Sequence, residues 1–90
     1  MRLTAETALI QFSAKHPESQ RVVHAWYKVF KSCAAKDFNE LKQTFATADY
    51  VPPKYTVFNV GGNEYRIVLH IHYNTQRAFV RFIGAHTEYK

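Results

Sequence analysis

The chain has 90 residues, seven Phe, six Tyr and one Trp, with a formal net charge of +5. That size makes one domain, 1–90, with one small core, and the aromatic content excludes a disordered chain. A single cysteine excludes an intramolecular disulfide, no apolar run approaches the ~18 residues of a membrane span, and the basic balance points to a polyanion or an acidic protein as partner in a cytoplasmic setting.

Met1 to Leu3 is long enough only for a short edge strand. Thr4 reads as a helix N-cap, and Ala5, Ala8, Leu9 and Phe12 recur at helical spacing. A first helix is predicted over Ala5–Lys15, stopped by Pro17. Pro17 also suits the first turn of a second helix, with Glu18 near the positive end of its dipole. There Val22, Trp26, Val29, Phe30 and Cys33 fall on one stripe, the strongest helical pattern in the chain. Cys33 on that stripe reads as a buried thiol, not a nucleophile. The pair of helices predicts an antiparallel hairpin. Asp37-Phe38-Asn39-Glu40 matches a reciprocal capping pattern and opens a short helix through Phe45. Ala48 to Pro53 reads as a loop, held extended by Pro52-Pro53.

At Lys54 the period changes to two. Thr56, Phe58 and Val60 alternate with Tyr55, Val57 and Asn59, and Gly61-Gly62-Asn63 makes a hairpin turn. Tyr65, Ile67, Leu69 and Ile71 point one way, while Arg66, Val68, His70 and His72 point the other. After a turn at Asn74-Thr75-Gln76, Ala78, Val80 and Phe82 alternate with Phe79, Arg81 and Ile83. The fold class is α+β: a helical hairpin and a short helix on one face of a small antiparallel β-meander. The apolar side of the middle strand meets the helices. Arg66, His70 and His72 then lie on the opposite face, and Arg81 joins them if the last strand also turns its apolar side inward.

A face with Arg, His, Lys and Tyr and no clustered carboxylates suits a phosphate ligand. Arginine matches phosphate oxygens with a rigid donor fork, and histidine exchanges protons near neutral pH. Lacking a carboxylate set for Mg²⁺, the pattern argues against metal-assisted phosphoryl chemistry, and no cofactor is expected. RNA carries its own nucleophile, the 2′-hydroxyl. Arg66 and Arg81 can stabilise the charge on the pentavalent phosphate, while His86, Tyr89 or Lys54 can move protons.

The run from Tyr55 to Val68, with Val57-Phe58-Asn59-Val60-Gly61-Gly62-Asn63 followed by Tyr65-Arg66-Ile67, resembles the HigB family of toxins. So does the later Ala85-His86-Thr87-Glu88-Tyr89. HigB toxins belong to type II toxin–antitoxin systems and to the wider RelE-like superfamily. The resemblance covers nearly the whole chain and is specific from Lys54 onward. It implies the RelE-like fold, whose concave sheet face binds RNA, and a metal-independent endoribonuclease that cuts mRNA in the ribosomal (30S) A site. It also implies inhibition by a HigA-type antitoxin with a helix-turn-helix domain. Arg66 matches the motif arginine, His86 and Tyr89 match the His and Tyr of the second motif, and Lys54 takes the basic position before the first hairpin strand. Arg81 stands where members often carry a basic residue. HigB members commonly follow Glu-Tyr with Asp; here Lys90 takes that place.

Two other readings compete. One is a non-catalytic RNA- or protein-binding module of the same fold. The other is a small regulator holding a metal at His70 and His72, although two ligands fall short of the four of a structural zinc site. His70 and His72 fit an RNA-binding surface better, and no metal site is assigned.

Overall fold

The computed structural model describes residues 1–4, 7–62 and 64–85. Among the described residues one edge strand is followed by three α-helices and then by four strands, where the hydrophobic period changes. Strand β1 (Arg2–Thr4) precedes helix α1 (Thr7–Lys15). Thr4 ends that strand, and the helix start expected at Ala5 lies outside the described residues. Pro17–Ser19 forms a 3₁₀ turn that leads directly into α2 (Gln20–Ser32), and Cys33 lies just beyond the helix, still buried. Helix α3 (Phe38–Thr44) opens with the predicted cap. The Asp37 carboxylate accepts from the Glu40 backbone N–H at 2.9 Å. The Glu40 carboxylate in turn accepts from the Lys36 N–H at 3.1 Å, one residue before the cap.

The sheet runs in the order β1-β5-β4-β3-β2, from β2 (Asp49–Val51), β3 (Tyr55–Val60), β4 (Tyr65–His72) and β5 (Arg77–Ala85). The expected meander is its centre. Gly61 and Gly62 make the first turn at φ of 67° and 62°, where a side chain would be strained. Gly61 also packs close: a Cβ there would meet the Val22 side chain of α2 at 3.3 Å.

One edge is as expected and the other exceeds the prediction: β1 is the short amino-terminal edge strand, and β2 is new. β2 lies inside the stretch read as a loop; it pairs with β3 but is exposed throughout, so no alternation marks it. β1 pairs with β5 in parallel, placing Arg2 beside Arg77 and Leu3 beside Ala78.

The helices cover one face only. Phe58, Tyr65, Ile67, Leu69, Ile71 and Ala78 meet Leu9, Phe12, Trp26, Phe30 and Leu41 in one core. Phe30 is fully buried and stacks on Trp26 at 5.0 Å between centroids, with Phe58 at 5.9 Å. Each such buried aromatic contributes roughly 1.5–3 kcal/mol by area alone. No helix among the described residues is long and apolar enough to cross a membrane.

One irregularity reshapes the other face. The β4–β5 register slips between Val68 and Leu69: Leu69 pairs with Val80, but Val68 pairs with Phe82. Arg81 is therefore the extra residue of a bulge. Beyond it the parity of β5 inverts, so Ile83 joins the core and Phe82 moves to the opposite face, the reverse of strict alternation.

Candidate RNA-binding face

Residues directly opposite in a sheet share a face, so the register builds the uncovered surface row by row. The first row is Asn59–Arg66–Gly84, the second Val57–Val68–Phe82, the third Tyr55–His70–Phe79, and the fourth His72–Arg77 continued by Arg2. From Arg66 to His72 the surface spans about 20 Å along β4.

Arg66 is half-buried and is held across the strands. Its Nε–H donates to Asn59 Oδ1 at 3.1 Å. Arginine has no acceptor, so the amide turns its oxygen inward, and Asn59 Nδ2 then faces the Thr47 carbonyl at 3.4 Å. This bond uses one of the five guanidinium donors and fixes the plane of the fork. Gly84 completes the row. A Cβ there would meet the Phe82 ring at 2.7 Å, so the missing side chain lets that ring lie along the strand beside Arg66's partner.

The second row is an apolar floor, since Val57 and Val68 are buried although outside the helical core. Above it a line of rings crosses the strands. Lys54 Nζ lies over Tyr55 at 5.7 Å, Tyr55 meets His70 edge-on at 6.4 Å, His70 approaches His72 at 4.3 Å, and His72 meets Phe79 edge-on at 5.4 Å. His70 is held below the ordinary imidazole pKa. Burial strips water from its charged form, and His72, Lys54 and Arg81 repel a proton. Arg81, exposed on the bulge between Val80 and Phe82, adjoins this surface.

The structure therefore brings Lys54, Arg66, His70, His72 and Arg81 to one face. His86 and Tyr89 lie outside the described residues. Asn59, Arg77 and Arg2 join the surface without having been singled out in the sequence. Parity within β5 sets Arg77 apart from the core residue Ala78, but the parallel partner Arg2 leaves no local trace. Asp49, opposite Val57, is the one acidic side chain that the described strands bring there. Among the described residues no group of three His, Cys, Asp or Glu side chains gathers to hold a metal around His70 and His72.

The surface is open, as a polymer requires. The groove of about 280 Å³ lined by Leu9, Ile10, Val23 and Tyr27 lies between α1 and α2, away from these rows. A cationic sheet face with partly exposed rings can attract a phosphate backbone and stack its bases.

Comparison with known proteins agrees with this geometry. Residues 19–90 match the family model described as "HigB_toxin, RelE-like toxic component of a toxin-antitoxin system". The mRNA interferase toxin HigB of Escherichia coli K12 is 31% identical over 91 residues, covering 99% of this chain and 88% of that protein. The mRNA interferase HigB of Shigella flexneri gives the same values, and that of E. coli O6:H1 is 28% identical over the same shares. The α+β architecture and the cationic sheet face fit that match, and the chain belongs to the HigB family of RelE-like toxins.

Proposed function

We propose that this chain is an mRNA interferase: an endoribonuclease that cleaves mRNA on the ribosome, at the 30S A site, and so halts translation. The observation that carries the reading is the alignment of Arg66, His70 and His72 on the sheet face the helices leave bare, with Lys54 over the Tyr55 ring at its edge and Arg81 on the adjoining bulge. Family membership supports it, since the relatives are named mRNA interferases. The partner of such a toxin is an antitoxin, and we assign a HigA-type helix-turn-helix protein to that place, with the cytoplasm as the setting.

In the proposed step the RNA 2′-oxygen attacks the adjacent phosphorus and the bond to the 5′-oxygen breaks. The 2′-proton passes to a base and the leaving 5′-oxygen takes a proton. Arg66, its plane set by Asn59, binds the phosphate and stabilises the added negative charge as it develops. Arg81 adds a second cation from the bulge. His86 and Tyr89 carry the proton transfers. Lys54, His70 and His72 bind flanking RNA through charge and ring faces. The products are a 2′,3′-cyclic phosphate, or the 3′-phosphate it yields with water, and a 5′-hydroxyl.

The test is induction of the chain in bacteria with mapping of RNA 5′-hydroxyl ends. Wild type arrests growth and produces new ends within messages. Arg66→Ala lowers cleavage about 10²–10³-fold, the usual loss for a donor aimed at transition-state charge. Continued growth arrest and unchanged ends with Arg66→Ala would sink the assignment.

A further inference from the structure

We infer that the corner formed by Arg2, Arg77 and His72 is a second RNA-backbone site, remote from the phosphate at Arg66, which anchors the substrate without taking part in cleavage. The inference rests on the RNA-cleaving reading above and adds an anchor point that the bare family motifs do not contain.

The corner is made by topology. β1 pairs in parallel with β5, which sets Arg2 directly opposite Arg77, and β5 in turn sets Arg77 opposite His72. Residues from the two ends of the described chain thus share one row. All three side chains are exposed. Among the described residues, the one ion pair is His16–Glu18, on the helical side, and no described carboxylate pairs with either guanidinium. Like charges directly opposite on neighbouring strands repel and destabilise the pairing. An arrangement that accepts this repulsion becomes favourable once an anion enters between the two groups.

The ligand chemistry follows from the setting. The row continues the cationic face that begins at Arg66, about 20 Å along β4, and the rings of Phe79 and His70 lie between. A single-stranded polyanion with stackable bases fills that path, and RNA is such a ligand. Two guanidiniums present flat donor forks that match phosphate oxygens.

The experiment measures fluorescence-anisotropy binding of a labelled single-stranded RNA of about ten nucleotides, across a salt series, to wild type, Arg2→Ala/Arg77→Ala and Arg66→Ala. Each RNA phosphate that the protein no longer neutralises flattens the slope of log K against log salt by about 0.7. The double variant is expected to flatten the slope by about 1.4, for two phosphates, and to bind about tenfold more weakly at moderate salt. Its cleavage at saturating RNA, on ribosomes if those are required, stays at the wild-type rate. A dinucleotide cannot span the face and should bind wild type and double variant equally. Melting temperature without RNA should hold or rise, because repulsion is relieved, which separates the effect from misfolding. Unchanged slope and affinity overturn the inference, as does a fall in the saturated rate without a change in slope. If wild type binds RNA but Arg66→Ala cleaves normally, the catalytic reading fails while the corner survives as a binding site. If wild type binds no RNA, both fail.

Discussion

The two faces of one sheet obey different rules. The helix-covered face is filled by shape: Ile67, Leu69 and Ala78 have no exposure, and Phe30 of α2 is equally buried in the same core. The opposite face has an apolar middle row at Val57 and Val68, with charge and rings on either side. A face built by packing tolerates no missing volume, whereas the opposite face leaves its charged groups and rings partly or fully exposed. Substitutions should therefore cost folding on one side and chemistry on the other.

The largest expected effect is on the packed side. Phe30→Ala removes a ring held between Trp26 and Phe58 and should cost about 3–5 kcal/mol. Small domains have roughly 5–15 kcal/mol in total, so the variant sits near its unfolding limit. Urea denaturation measures this directly. Arg81→Ala, on the bulge of the other face, should shift stability by no more than about 0.5 kcal/mol. Equal losses at the two positions would show that the faces are not divided in this way.

The packed face is also the more legible one. Tyr65, Ile67, Leu69 and Ile71 announce their side by strict alternation, and the α2 stripe of Trp26 and Phe30 announces what covers them. The placement of Arg66, His70 and His72 follows as the complement of that pattern. Composition carries no sign of a bulge, so the inward turn of Ile83 and the outward turn of Phe82 leave no mark in the sequence. Parallel pairing is non-local, which hides Arg2 beside Arg77. β2 escapes sequence reading because all three of its residues are exposed and Pro52-Pro53 follows. The Asn59–Arg66 pair is visible as matching parity on adjacent strands, yet the register that makes them partners depends on the turn geometry at Gly61 and Gly62.

A smaller effect tests the chemical side alone. Asn59→Ala removes the acceptor that sets the plane of Arg66 and should lower cleavage about tenfold at saturating RNA, since misoriented catalytic groups lose rate before affinity. Folding should change by about 1 kcal/mol, the worth of one hydrogen bond. Asn59→Asp keeps an acceptor in place but pairs Arg66 with a negative charge, so it should fold normally and still cleave slowly. Full cleavage by both variants, with Arg66→Ala inactive, would remove Asn59 from the site.

The smallest effect is in pH, and its size differs between free and bound protein. His70 has its pKa lowered by burial, then by His72, Lys54 and Arg81. A base with a depressed folded pKa binds its proton more readily when unfolded. Its contribution to stability is complete above the unfolded value of about 6.5 and is lost as pH falls from there toward the folded value. RNA phosphates reverse the local field and raise the same pKa, so binding takes up a proton in that window and strengthens as pH falls. Melting curves at pH values above and below this window, with and without RNA, separate the two trends. Free protein should lose stability on acidification while the complex loses less, and His70→Gln should flatten both responses. A wild-type complex whose stability falls in parallel with that of the free protein would mean that no phosphate lies near His70, confining the RNA to the Arg66 end of the face.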